Sequence, residues 1–199
     1  MVKDGTEQLT RTQGQALCRL ARQTIMEIFG KSLPEDEIRA ITKELDDEKI
    51  NQIRGVFVTL TIQGRLRGCI GNLSGYYPMR KGVMKNAVNA ALHDTRFPPL
   101  TVDELALLNI SVSILSQPQP FPYVNGDDLM RRLKRGVDGV ILKQGVYSAT
   151  FLPQVWEQLP EPVDFLSHLA AKAGLSPESW KNGNVEVSTY QVQYFEEGK

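Results

Sequence analysis

The run Val56-Phe57-Val58-Thr59-Leu60-Thr61-Ile62 constrains this chain more than any other stretch. All of it except Leu60 is β-branched or aromatic, which suits a pleated, half-buried surface and suits a helix poorly. Gln63-Gly64 interrupts the run and Arg65 to Ile70 returns, so Arg54 to Ile70 predicts an antiparallel hairpin. Val140–Leu142 and Val146–Leu152, on either side of Gln144-Gly145, predict a second one. Ile110, Val112 and Ile114 alternate with Ser111 and Ser113 as a half-buried strand, and Val185 to Phe195 reads as a final strand.

Helical patterns fall between these strands. Leu17, Leu20, Ala21, Ile25 and Ile28 form one apolar stripe, with Thr12 and Gln15 as a capping box and Gly30 as the stop. Cys18 sits beside the stripe as a small core or boundary residue. The acidic stretch from Pro34 to Lys49 predicts a short helix and a surface connection. Pro78 opens a helix whose stripe is Val83, Met84, Ala87, Val88 and Ala91, leaving Lys81, Lys85 and Asn89 on its other face. Thr101 with Glu104 caps a short turn after the Phe97-Pro98-Pro99 break. Gln117 to Tyr123 carries three prolines and predicts an extended connection. Asp127–Arg135 and Phe165–Ala173 predict helices stopped by Gly136 and Gly174. Strands that arrive as hairpins and singles, without a βαβ rhythm, indicate an α+β fold. The sheet is mainly antiparallel, with flanking helices.

Charge and cysteine usage narrow the function classes. Lys plus Arg and Asp plus Glu each number 23, so the net charge is zero, and a general nucleic-acid binder is disfavoured. Two cysteines, Cys18 and Cys69, and two histidines, His93 and His168, are too scattered for a disulfide framework or a zinc site, so no metal is expected. The polar, acid-bearing segment Met1 to Leu9 does not read as a signal peptide, and no apolar run approaches a membrane span. The cytoplasm is the expected address. No motif names a cofactor.

The stretch Arg65-Leu66-Arg67-Gly68-Cys69-Ile70-Gly71-Asn72 carries the most chemistry. Strict alternation puts Leu66 and Ile70 on one face and Arg65, Arg67 and Cys69 on the other. Two guanidiniums beside a thiol favour the thiolate, while Gly68 leaves the backbone near the sulfur open and Gly71 allows a left-handed turn. The opposing reading makes Cys69 a small buried hydrophobe and pairs the arginines with surface acids. Gly68, Gly71 and Gly75 also precede the helix at Pro78, whose first turn holds Arg80 and Lys81. Cations there oppose the helix dipole unless an anion is bound, which suggests an anion cradle, with a tight turn and a solvated basic face as the alternative. His93-Asp94-Thr95-Arg96 ends that helix. About fourteen helical residues span about 20 Å, so sequence order alone does not bring His93 or Asp94 to Cys69. An Asp94–Arg96 pair that fixes the Pro-Pro turn is the plainer reading.

Gly55-Val56-Phe57-Val58-Thr59-Leu60, Leu66-Arg67-Gly68-Cys69-Ile70-Gly71, and Asp94 with Arg96-Phe97-Pro98-Pro99-Leu100 resemble successive signatures of the AMMECR family. Further matches include Val112 to Ser116, Asp138-Gly139-Val140, Leu152 to Val155 and Lys172 to Leu175. Together they cover residues 9–195 as a single family domain, with 1–8 and 196–199 as polar tails. The resemblance implies two unequal α+β lobes with the cysteine motif near the cleft between them. It carries over Arg67, Gly68, Cys69, Gly71, Asp94 and Arg96 as motif positions, and leaves out Arg65 and His93. Prokaryotic members are called AmmeMemoRadiSam system protein A, after an association with Memo-type and radical-SAM proteins. The resemblance brings no reaction, ligand or cofactor with it.

Two functions follow as expectations. One is a cysteine-dependent enzyme or ligand-binding protein acting on a small anionic or carbonyl compound. Cys69 attacks, Arg67 holds negative charge, and Asp94 or His93 orients or moves a proton. Gly68, Gly71, Asn72, Arg65, Arg80, Lys81 and Arg96 then contact the ligand. The other is a non-catalytic binding subunit for the Memo-type and radical-SAM proteins.

Overall fold

A computed structural model describes residues 8–198. In chain order it contains α1 (Arg11–Ile28), α2 (Glu35–Glu44), β1 (Val56–Ile62), β2 (Arg65–Asn72), α3 (Met79–Leu92) and β3 (Leu108–Leu115). There follow β4 (Gln119–Pro120), α4 (Gly126–Arg132), β5 (Gly139–Gln144), β6 (Tyr147–Phe151), α5 (Pro162–Lys172), β7 (Glu186–Tyr190) and β8 (Val192–Glu196). The strands form two four-stranded sheets, ordered β2-β1-β3-β8 and β4-β7-β5-β6, so the fold is α+β. Contacts divide the chain into a unit that runs to Leu115 and resumes at Gln193, and a second from Ser116 to Val192.

In the first unit, β1 lies between β2 and β3 and runs antiparallel to both. Gln63 and Gly64 have φ of 51° and 75°, the left-handed pair of a two-residue type I′ turn. The inward face of the sheet carries Val58, Leu60, Ile110 and Val112, all fully buried against Leu17, Ala21 and Ile25 of α1 and Val83 and Ala87 of α3. Cys18 belongs to the same core, and burial pushes its thiol up to about 12.

Several local expectations shift. The cap of α1 is Thr10, whose hydroxyl accepts from the Gln13 amide while the Gln13 side chain returns to the Thr10 N–H. Thr12 lies inside the first turn and its hydroxyl bonds that of Thr10, so the box stands two residues earlier than Thr12–Gln15. On α3 the core stripe is Met79, Val83, Asn86, Ala87, Ala90 and Ala91, whereas Met84 is exposed. Asn86 takes a core position because its amide donates to the Val56 carbonyl at 2.9 Å. The run Val185 to Phe195 divides at Gln191, with β7 in the second sheet and β8 in the first. Gln191 bonds Ser116 instead of a strand neighbour, through its N–H to Oγ and its carbonyl to N–H, both at 2.9 Å.

The expected polar end beyond 195 is also different. Glu196 ends β8, and Glu197 is gripped by Arg22, Nε to Oε1 at 2.7 Å and Nη2 to Oε2 at 2.6 Å. The expected tail at residues 1–7 lies outside the described residues.

The second unit packs α5 on its sheet around Val140, Leu142, Phe165, Leu169 and Trp180. Trp156 stacks on Phe165 at 3.7 Å, and its indole N–H donates to the Asp138 carbonyl. A groove of about 410 Å³ runs between Pro120–Tyr123 and Val185–Ser188. No helix among the described residues is long and apolar enough to cross a membrane. None of their His, Cys, Asp and Glu side chains cluster as a metal site.

Candidate functional site

A two-residue turn at Gln63-Gly64 pairs Ile62 with Arg65 and Thr61 with Leu66. Continued without interruption, that register would set Cys69 opposite Val58 and point the thiol into the core. The register instead slips by one between Leu60 and Thr61: Leu60 pairs with Gly68 and Thr59 with Cys69, leaving Arg67 as the extra residue of a β-bulge. The bulge turns Cys69 onto the outward face with Thr59, where Leu66 already lies through its pairing with Thr61. Gly68 and Ile70 face inward, and Ile70 packs on the core. Arg65, Arg67 and Cys69 therefore do not share a face, because strict alternation holds only where the ladder is uninterrupted.

Each of the two glycines has a packing reason that differs from the expected one. A Cβ on Gly68 would lie 2.2 Å from the backbone oxygen of Ala90, so this glycine lets β2 press directly on α3. Gly71 sits within β2 opposite Phe57. A Cβ there would meet the Phe57 ring at 2.3 Å, so the ring lies across the strand at this point. Neither glycine belongs to a loop before α3.

Because α3 packs back along β2, its far end returns to the cysteine. Asp94 Oδ2 accepts from the Cys69 N–H at 2.8 Å, and Arg96 Nη2 donates to the Cys69 carbonyl at 3.0 Å. Strand β2 is a sheet edge, and this pair occupies the outward backbone groups of Cys69 as a neighbouring strand would. Asp94 also accepts from the Arg96 backbone N–H, Nε and Nη2 at 3.2, 2.9 and 2.7 Å. The Arg96 guanidinium, first among several donors, holds the buried Asp94 carboxyl well below the usual carboxylate range. Asp94 therefore positions Cys69 and stays ionised.

The thiol itself is half-buried, and its Sγ lies 3.1 Å from the Thr59 hydroxyl. Across β1, Thr59 is opposite Ser111 of β3, so Cys69, Thr59 and Ser111 form a row of small polar side chains. Ser111 is mostly buried, and no hydrogen bond within the described residues uses its hydroxyl.

The other candidates lie apart from this row. Arg67 turns to the turn Val102–Leu107, where it grips Glu104 and donates to the Pro98 and Pro99 carbonyls. Arg65 and Asn72 are exposed at the two ends of β2. His93 is exposed and caps α3 through its backbone N–H, which bonds Asn89. Arg80 is exposed, while the Lys81 and Lys85 ammoniums sit 4.9 and 4.5 Å from the Tyr77 ring centre. That aromatic face gives the first-turn charge of α3 a partner within the protein. Sequence reasoning did not single out Thr59 or Ser111 as site residues. Their place beside Cys69 depends on the bulge, and a bulge leaves no local signal.

The AMMECR1 family model matches residues 18–195, a span that includes β1, the bulged β2 and the Asp94–Arg96 corner. A Methanosarcina barkeri protein is 40% identical over 192 residues, covering 95% of this chain and 92% of its own. A Methanosarcina mazei protein is 40% identical over 193 residues, covering 95% and 94%. The crystal structure of an uncharacterized Pyrococcus horikoshii protein matches with a TM-score of 0.75 at 32% identity, over 96% of this chain and 94% of that one. A family model that matches residues 18–195, with relatives and a fold that agree over nearly the whole chain, means that this chain belongs to the AMMECR1 family.

Proposed function

We propose that the protein binds a small carbonyl or carboxylate compound on the outward face of its first sheet, with the Cys69 thiol as the group the ligand meets. One observation carries this reading. The backbone of Cys69 is held on both sides by Asp94 and Arg96, while the sulfur meets the Thr59 hydroxyl and lies within reach of the Arg96 guanidinium. A side chain that served packing alone would not need its main chain fixed so completely. Arg96, more than half exposed, supplies positive charge beside the site. Cysteine-dependent catalysis is the stronger form of the same proposal. It requires a proton acceptor near the sulfur, and Asp94 is committed to four donors. Binding is therefore the better supported form. The free thiols of Cys18 and Cys69 fit a reducing compartment, and we place the protein in the cytoplasm. The test is a thermal-shift screen of metabolites on the wild type and Cys69→Ser. A compound that stabilises the first and not the second is expected. A full set of carbonyl and carboxylate metabolites that shifts both equally would remove the reading.

A second reading is a non-catalytic subunit that works with Memo-type and radical-SAM proteins. Its support is the exposed apolar surface at Ile53, Tyr76 and Tyr77, where Ile53 bridges to Pro78. Co-purification with such a partner that survives Cys69→Ser and fails with Tyr76→Ser would favour it.

A further inference from the structure

The polar row does not stand alone on its face. Along β1, Phe57, Thr59 and Thr61 point outward together, and the facing residues of β2 are Gly71, Cys69 and Leu66. At one end the Phe57 ring lies across Gly71. At the other, Leu66, one pair from the hairpin turn, is a large aliphatic side chain that is 44% exposed. Same-face neighbours along a strand are about 7 Å apart, so both apolar groups stand one position from the thiol. The bulge at Arg67 creates this grouping, since an uninterrupted ladder would have turned Cys69 inward. Ser111, 7% exposed, faces the same row from β3, and no hydrogen bond within the described residues uses its hydroxyl.

We propose that Leu66 and Phe57 are the apolar walls of the Cys69 site. Its ligand then has a short hydrocarbon chain or ring joined to a carbonyl or carboxylate head. The inference rests on the ligand-binding reading above and adds the chemical class. The head meets Cys69, Thr59 and the Ser111 hydroxyl, a donor without a protein partner. The hydrocarbon lies against Leu66 or Phe57, where removing apolar area from water favours it. An all-polar ligand such as inorganic phosphate gains nothing from either wall.

The test uses the thiol as its own probe. Native protein is labelled with iodoacetamide and with N-methyl-, N-butyl- and N-cyclohexylmaleimide, and the rate at Cys69 is read by peptide mass spectrometry. Rates are divided by those of free glutathione, which cancels intrinsic reactivity. We expect the butyl-to-methyl ratio to exceed that of glutathione by about fivefold, the effect of burying part of three methylenes. Leu66→Ala or Phe57→Leu should bring the ratio back toward that of glutathione, with circular dichroism showing that each variant folds. Iodoacetamide that labels Cys69 only after denaturation would remove the ligand-binding reading itself. Normal iodoacetamide labelling with a glutathione-like ratio, or a raised ratio that neither substitution changes, would remove the walls and leave the reading standing.

Discussion

Arg67 and Glu104 form a two-point ion pair, Nε to Oε1 at 2.6 Å and Nη2 to Oε2 at 3.0 Å. It joins the extra residue of the β2 bulge to the turn that leads into β3. Glu104 Oε2 also accepts from the Thr101 N–H and hydroxyl, completing the capping box expected there. The pair is mostly shielded, with side chains 13% and 25% exposed. The Arg67 guanidinium holds the Glu104 carboxyl down to about 2 from its ordinary 4.5.

The pH dependence follows from that direction. A carboxyl lowered on folding contributes stability that is present above its unfolded value and lost as pH falls through its folded value. Glu104→Gln should cost about 2 kcal/mol at pH 7, on the order of the free energy that such a shift represents. Urea denaturation at pH 7, 4.5, 3 and 2 checks this, and the gap between wild type and variant should close between about 4.5 and about 2. A gap that is constant down to pH 2 would mean that the pair adds nothing specific.

Asp94→Ala removes the acceptor of the Cys69 N–H and leaves that edge amide without a partner in the protein. Losing a bond to a charged acceptor at a shielded site costs about 2 kcal/mol. Arg96 is largely solvated, so its share of the ion pair is discounted. The distinguishing measurement is amide hydrogen exchange. The Cys69 amide should exchange about tenfold faster or more in the variant at matched global stability, roughly the factor that corresponds to 1.4 kcal/mol. An unchanged rate would show that the carboxylate does not guard this edge.

Glycine substitutions separate packing from flexibility. A Cβ at Gly68 would fall 2.2 Å from the Ala90 backbone oxygen, and neither the strand nor the helix can yield without moving the other. Gly68→Ala should destabilise by about 3 kcal/mol or more, at the upper end for overpacking. Gly82 lies in α3, where a Cβ meets only the Val56 side chain at 3.5 Å. Gly82→Ala should be neutral or stabilising by up to about 1 kcal/mol, because alanine is the better helix former. Thermal melts should show a clear fall for Gly68→Ala and an unchanged or raised midpoint for Gly82→Ala.

Local signals were legible and register was not. Gln63-Gly64, the Thr101–Glu104 box and the stop at Gly174 each depend on a few adjacent residues, and all three appear in the structure. The helix expected to run from Asp127 to a stop at Gly136 ends already at Arg132, where Leu133 turns extended. The bulge at Arg67 depends on how β2 lies against β1 and α3, which the Arg65–Asn72 stretch alone does not encode. For the same reason the reach of Asp94 to Cys69 was hidden. It needs α3 to double back along β2, and the length of a helix says nothing about its direction. Gln191 reads as part of one long strand because its neighbours all favour β structure. Its departure follows from the bonds to Ser116, 75 residues away.

The C-terminal end supplies the last prediction. Glu197 accepts from Arg22 at both oxygens, its own N–H donates to the Ile110 carbonyl, and Arg22 continues to the Leu105 and Leu108 carbonyls. The Arg22 and Glu197 side chains are 22% and 15% exposed, so the pair is shielded and the guanidinium is almost fully bonded. Glu197→Ala leaves that cation beside backbone carbonyls without its counter-charge. It should cost about 2–3 kcal/mol, between a surface pair and a buried pair broken on one side. Arg22→Met with Glu197→Ala removes both charges and should recover part of the loss. Guanidinium denaturation of the two single variants and the double variant gives the coupling directly. Glu197 also lies among the charges that raise the Cys18 thiol, so its removal should ease Cys18 ionisation slightly while burial keeps that thiol slow to alkylate. Single variants whose effects simply add would show that Glu197 is an ordinary surface end, not the clasp that ties β8 to α1.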